Sequence, residues 1–116
     1  MKIADIAALL DAKVYSGKDM MDKEVHTACG CDLMSDVLAF VKDQAVLLTG
    51  LVNPQVIRTA EMMDIVCIVL VRGKAPTAAM IDLAEERSLA LLSTEQKMFS
   101  ACGLLYNAGL ADGGTM

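Results

Sequence analysis

The stretch Ile65-Val66-Cys67-Ile68-Val69-Leu70-Val71, which Arg72-Gly73 follows, decides the fold. All seven residues are apolar, and five of them are β-branched. This composition is typical of a strand at the centre of a parallel sheet, where helices bury both faces. The run is far shorter than the ~20 residues that a membrane-spanning helix needs. We therefore predict a central buried strand that ends at Arg72-Gly73.

Strands and helices alternate on both sides of this strand. The predicted elements are strand 45–49, a helix that starts at Asn53-Pro54, strand 65–71, a helix that starts at Pro76-Thr77, strand 88–92, and a last helix capped by Thr94. Each start offers a capping side chain or a proline at the first turn. Short links and right-handed crossovers then place helices on both faces of the sheet. The predicted fold is an α/β three-layer sandwich with a mostly parallel central sheet.

The first forty residues add further elements to this sheet. We predict a helix over residues 3–11, strands 13–16 and 24–30, and a helix that Asp32 caps. At the other end, Gly109 and Leu110 predict a Schellman-type stop for the last helix. Residues 1–110 are therefore expected to form a single domain, and residues 111–116 a flexible C-terminal tail.

The charge and composition exclude several classes of function. The net charge of −5 repels nucleic-acid backbones, and four aromatic residues make no evident stacking platform for bases. The chain carries no phosphate-loop or GxGxxG motif, which argues against nucleotide hydrolysis. The start of the chain resembles no secretory or transit signal, so we expect a cytoplasmic protein without a membrane segment.

The hydrophobic fraction of 55% is high for 116 residues. A small domain exposes much of its surface, so this excess suggests a second buried surface such as a subunit interface. A strand buried on both faces accounts for part of it. We expect a homodimer, with the interface on one face of the helix over residues 53–64 or of the helix over residues 32–42.

His26, Cys29 and Cys31 are the nearest approach to a metal cluster. They supply at most three ligands, and strand alternation sends the two cysteines to one face and the histidine to the other. A packed structural role is the simpler interpretation, with Cys67 and Cys102 as buried thiols. We predict no catalytic residues, no cofactor and no metal; a redox or metal role for Cys29 and Cys31 stays open.

A second candidate site is positional. In open parallel sheets, ligands bind beyond the carboxyl ends of the strands. The polar and glycine residues expected there are Thr49, Gly50, Asn53, Arg72, Gly73, Ser93 and Thr94. They combine hydroxyls, an amide, a cation and helix N-termini, which suits a small anion. The opposing interpretation is that Asn53 and Thr94 only cap helices and Arg72 only ends a strand.

Four stretches resemble the DRTGG domain family. They are residues 30–37 (GCDLMSDV), 46–50 (VLLTG), 66–76 (VCIVLVRGKAP) and 90–94 (ALLST), and the similarity extends from Ile3 to Leu110. The family is similar to the N-terminal domain of HPr kinase/phosphorylase, and related domains occur in phosphotransacetylases and between CBS domains of regulated pyrophosphatases. The resemblance implies an α/β accessory domain for regulation or dimer assembly.

Two hypotheses for the function follow. The first is a non-enzymatic regulatory or assembly module, a stand-alone DRTGG-like domain that acts as a homodimer and has a protein partner. The alternative is a small-ligand sensor that holds an anion or nucleotide at the carboxyl ends of the strands. Ligand binding to the native state raises apparent stability, so thermal-shift measurements discriminate between the two.

Overall fold

A computed structural model describes residues 1–40 and 44–112. The strands are β1 (Lys13–Ser16), β2 (Thr27–Gly30), β3 (Ala45–Thr49), β4 (Ile65–Leu70), β5 (Ala90–Ser93) and β6 (Ala111–Asp112). The helices are α1 (Ile3–Leu10), α2 (Met34–Phe40), α3 (Gln55–Met62), α4 (Ala78–Glu86) and α5 (Met98–Asn107). Within the described ranges, no helix has the length and apolar character that crossing a membrane requires.

The six strands form one sheet in the order β1-β5-β4-β3-β2-β6. β2 to β6 run parallel, and β1 pairs antiparallel with β5 at one edge. The strand predicted to be central, β4, pairs with β3 on one side and β5 on the other. The predicted α/β fold with a mostly parallel sheet is confirmed.

The order of the strands explains which face each helix covers. The chain moves steadily from β2 to β5, so right-handed crossovers place α2, α3 and α4 on one face. α5 returns from β5 to β6 in the opposite direction, and the same handedness places it on the other face, where it contacts α1. Two separate apolar cores result, one on each face of the sheet.

β4 contributes side chains to both cores. Cys67 and Val69 pack with α1 and α5, whereas Ile68 and Leu70 pack with α2, α3 and α4. All six residues of β4 are buried. Because both faces of β4 are buried, apolar and polar residues do not alternate in the stretch 65–71. The same burial accounts for part of the high apolar content of the chain.

The ends of several elements agree with the sequence. β1 and β3 have the predicted bounds, and the Asn53 side chain caps the start of α3 by accepting a hydrogen bond from the backbone N–H of Gln55 at 2.8 Å. The last helix ends in the predicted Schellman motif. Gly109 has a φ of 110°, its N–H bonds the carbonyl of Tyr106 at 3.0 Å, and the N–H of Leu110 bonds that of Leu105 at 3.1 Å.

Other ends differ. The strand predicted from residue 24 begins at Thr27. The end predicted for the second helix, at residue 42, lies outside the described residues. The predicted cap at Thr94 is wrong, because α5 starts only at Met98 with Lys97 as its N-cap. In the predicted tail, Ala111 and Asp112 form β6 beside β2, and residues 113–116 lie outside the described residues.

Candidate functional site

The loops that follow β3, β4 and β5 lie at one edge of the sheet, as parallel strands require. β4 and β5 form the topological switch point, since α4 leaves β4 for one face and α5 leaves β5 for the other. Open α/β sheets commonly bind ligands in the crevice at such a point. The seven residues predicted from sequence divide here into two groups.

The first group surrounds Asp32. Its carboxylate accepts hydrogen bonds from the Thr49 hydroxyl at 2.9 Å and from the Gly50 backbone N–H at 2.7 Å. The Thr49 hydroxyl oxygen in turn accepts one from the N–H of Leu51 at 3.2 Å. Asp32, predicted as a helix cap, therefore ties the end of β2 to the end of β3. Asn53 is also engaged, because its side-chain oxygen caps α3.

The second group joins the loops after β4 and β5 across the switch point. The Gly73 N–H donates to the Thr94 carbonyl at 2.9 Å, and the Arg72 N–H donates to the Gln96 carbonyl at 2.7 Å. The Ser93 hydroxyl donates to the carbonyl of Lys74 at 2.5 Å. These bonds close the crevice in which a ligand of an open sheet would bind.

Thr94 turns away from this edge into the protein. Its hydroxyl is buried, donates to the carbonyl of Leu10 at 2.7 Å and accepts from the N–H of Gln96 at 3.2 Å. Thr94 therefore anchors the end of α1 instead of opening α5. A buried hydroxyl with both hydrogen bonds made has a structural role and presents nothing to a ligand.

The electrostatics at the switch point are mixed. Arg72 is exposed and has a left-handed φ of 63°, but the Glu95 carboxylate packs against the backbone of Gly73. An anion at this point would approach a carboxylate as well as a guanidinium. The structure thus brings Arg72, Gly73, Ser93 and Thr94 together. Internal hydrogen bonds engage the hydroxyls of Ser93 and Thr94 and the backbone N–H groups of Arg72 and Gly73.

A cavity of about 300 Å³ lies elsewhere, beside α5 on the face that α1 and α5 cover. Its lining residues are Ala28, Gly30, Leu48, Phe99, Cys102, Gly103, Tyr106, Asn107 and Leu110. None of these nine side chains carries a charge at neutral pH. Phe99 is 91% exposed and Tyr106 is 70% exposed at its rim. The cavity suits an apolar or aromatic group and not an anion.

This cavity was not predicted from the sequence. On α5, Leu105 is buried in the core on this face, whereas Met98 and Cys102 pack against that core and are partly buried, so the prediction of a buried Cys102 is met only in part. Phe99, Gly103 and Tyr106 follow at spacings of four and three residues, so they form an adjacent stripe. A pair of aromatic residues beside a mid-helix glycine was the signal available in the sequence.

The cysteines occupy different environments. Cys29 and Cys31 both pack against the α2–α4 core, as strand alternation predicts, and the Cys31 sulfur accepts a hydrogen bond from the N–H of Leu33 at 3.4 Å. Burial raises the pKa of the Cys67 thiol to about 12 and also raises the pKa of Cys102. Among the residues that the structure describes, no group of three or more His, Cys, Asp or Glu side chains has the arrangement of a metal site.

These features define a doubly wound α/β domain whose carboxyl edge is closed by its own hydrogen bonds and whose uncharged cavity lies beside the last helix. The DRTGG domain family model matches residues 5–108, so the chain belongs to this family and the predicted resemblance is confirmed. A comparison with curated proteins gave no significant match.

Among solved structures, the fold is similar to the CBS and DRTGG domains of the regulatory region of Clostridium perfringens pyrophosphatase, which was crystallised with its activator, diadenosine tetraphosphate. The TM-score is 0.77 at 14% sequence identity. The match covers 98% of this chain and 50% of the other, so the chain spans about half the length of that regulatory region.

Proposed function

We propose that this DRTGG domain is a non-enzymatic regulatory or assembly module that works as a homodimer. One observation carries the proposal: among the residues that the structure describes, six large apolar side chains remain exposed outside the two cores. They are Leu9, Leu33, Leu38, Met62, Phe99 and Tyr106. Phe99 is one of only two phenylalanines in the chain. Phe99 and Tyr106 lie together on α5 beside the cavity, and an exposed apolar patch on a small domain marks a protein contact, since exposing it to water is unfavourable.

The polar groups of the molecule support the same proposal. The hydroxyls of Thr49, Ser93 and Thr94 make internal hydrogen bonds, which suits a structural role better than nucleophilic or acid–base chemistry. The cavity beside α5 is lined by uncharged residues. The structural relative is a regulatory region, which agrees with a module that senses or assembles.

We further propose that residues 1–112 act as one unit in a reducing compartment such as the cytoplasm, because β6 joins the first two residues of the predicted tail to the sheet. The family match spans nearly all of this range, and one sheet joins elements from Lys13 to Asp112. Cys67 lies within an apolar core and Cys102 packs partly buried against it, both as thiols, a state that reducing compartments preserve.

Sedimentation equilibrium tests the homodimer. We expect the protein at micromolar concentration to have twice its chain mass of 12.3 kDa. Because the proposed contact is apolar, we expect added salt to leave the dimer intact. A monomer at these concentrations, with a cooperative melting transition to show that it is folded, would contradict the proposal.

A small-ligand sensor is the second candidate, and the relative's crystallisation with diadenosine tetraphosphate favours it. The ligand would bind near Gly50, Asn53, Arg72 and Thr94. Because internal bonds engage this edge, we expect millimolar inorganic phosphate or diadenosine tetraphosphate to leave the melting temperature unchanged. A rise that saturates with concentration, and that Arg72→Ala removes, would favour the sensor instead.

A further inference from the structure

The inference concerns the exposed side of α5, and it rests on the proposed homodimer. Phe99, Gly103 and Tyr106 lie on one stripe of this helix, next to the cavity of about 300 Å³. Together with the cavity we call this stripe the α5 face. Two helices cover this side of the sheet and three cover the other, so α5 has an open flank over β2 and β3.

The first observation is that a glycine occupies position 103, which suggests a contact with a second chain. Gly103 lies within α5, where glycine is less favourable for helix stability than alanine. A Cβ atom built on Gly103 would meet nothing within 4 Å. Gly30 differs, because a Cβ there would lie 2.5 Å from the Cys102 sulfur, so close packing of α5 on β2 explains that glycine. Packing within one chain gives no reason for Gly103.

Charge is the second observation. The chain has a net charge of −5, which opposes association of two copies. The residues that line the α5 face are uncharged. Two copies that meet there bury apolar surface, and no carboxylate of the lining faces another because the lining has none. A second copy with the same negative net charge can therefore bind at this face with little repulsion between charged side chains.

The spacing along α5 is the third observation, and it suits a second copy as the occupant. In a twofold antiparallel pair of α5 helices that cross at Gly103, a residue before Gly103 faces one equally far after it. Phe99 lies four residues, about 6 Å, before the crossing, and Asn107 lies four residues after it. Phe99 of one copy therefore reaches the part of the other copy where Tyr106, Asn107 and Leu110 line the cavity.

We propose that two copies of this chain associate through the α5 face, with Gly103 at the crossing and the Phe99 ring of each copy in the cavity of the other. The volume suffices, since cavities of about 150 Å³ hold benzene. The missing side chain at Gly103 lets the two helix backbones approach closely, as small residues do at other helix crossings. Each cavity is completed by a residue of the partner copy.

Analytical ultracentrifugation of matched charge variants tests this interface. We expect Phe99→Glu to raise the dimer dissociation constant about 30-fold or more, as loss of a central aromatic contact does. Met62→Glu is the control, because Met62 is 74% exposed on α3, on the opposite face of the sheet. The sequence predicts an interface on this helix or on α2, whereas the α5 interface predicts that the Met62→Glu dimer matches the wild type. Tyr106→Lys is a second variant on the α5 face, should Phe99→Glu fail to melt cooperatively.

Gly103→Ala adds a readout that a merely structural role would not produce. In the Phe99→Glu background, where the protein is monomeric, we expect the alanine to raise the melting temperature, because alanine favours the helix. In the otherwise wild-type chain we expect the same alanine to weaken association, because its methyl group separates the helices. An alanine that leaves association unchanged would overturn the crossing at Gly103.

The outcomes separate this inference from the homodimer itself. A wild-type monomer contradicts the proposed homodimer and this interface with it. A wild-type dimer that survives both Phe99→Glu and Tyr106→Lys overturns the α5 interface and leaves the homodimer standing. If Met62→Glu raises the dimer dissociation constant as much as Phe99→Glu does, the α5 interface is also overturned, because the effect would then not be specific to α5.

Discussion

Replacement of Gly17 by alanine is expected to lower the free energy of unfolding by about 2–5 kcal/mol. Gly17 is buried and has a φ of 84°, a conformation that strains residues with a Cβ atom. The added Cβ would also lie 2.7 Å from the Cα atom of Ala90. That atom belongs to β5, which is paired on both sides, so the backbone there cannot move away without disturbing the sheet.

Urea unfolding followed by circular dichroism measures this loss in the Phe99→Glu background, and Gly103→Ala in the same background is the matched control. The control adds the same methyl group at a glycine with open space around it, so we expect unchanged or slightly raised stability. Small domains are stable by about 5–15 kcal/mol, so the Gly17 variant is expected to lose a large share of its stability. Similar stabilities for the two variants would refute the clash with β5.

The elements that sequence reasoning placed best depend on local composition. β3 and β4 are runs of apolar residues buried on both faces, and no other common element has that pattern at that length. The start of α3 was equally clear, since Asn53 caps its own neighbouring backbone and Pro54 suits the first turn. Where a residue's partner lies within a few positions, the sequence contains both halves of the interaction.

Thr94 and Asp32 show where this reasoning stops. Both residue types favour helix caps, so both were predicted to cap the helix that follows. Thr94 instead bonds the carbonyl of Leu10, 84 positions away, and Asp32 bonds Thr49 and Gly50 across two strands. Only the tertiary fold shows that the side chains of Thr94 and Asp32 bond these distant groups and not the backbone N–H groups of the helix that follows.

The two candidate sites differ in how much of each the sequence contains. The strand order places Arg72, Gly73 and Ser93 at the carboxyl edge of the sheet, but their hydrogen bonds to the neighbouring loop depend on the tertiary fold and have no local signal in the sequence. The cavity beside α5 depends on which flank of the sheet is left uncovered. That is a property of the assembled layers, and the spacing of Phe99, Gly103 and Tyr106 becomes meaningful only once α5 is known to border open space.

The free energy of unfolding is expected to fall at alkaline pH because of the Cys67 thiol. This thiol is fully buried in β4, and burial raises its pKa from 9.0 to about 12 because the thiolate would lose its hydration. Between these two values the unfolded chain releases the proton while the folded chain keeps it. The folded state then binds more protons than the unfolded state, so the free energy of unfolding falls as pH rises. Below pH 9 both states hold the proton, and the contribution of the neutral thiol is fully present.

The expected slope is about 1.4 kcal/mol per pH unit, or about 4 kcal/mol in total between pH 9 and pH 12. Urea unfolding at about pH 8 and about pH 10.5 measures it, with Cys67→Ala as the control, since lysine and tyrosine residues titrate alike in both proteins. We expect the wild type to lose about 2 kcal/mol more than Cys67→Ala over this interval. Iodoacetamide should alkylate Cys67 only after unfolding, because the thiolate is the reactive form and the folded core excludes it. If the free energy of unfolding falls equally in the two proteins, or if Cys67 is alkylated rapidly in the folded state, then the two helical layers do not shield β4 from water.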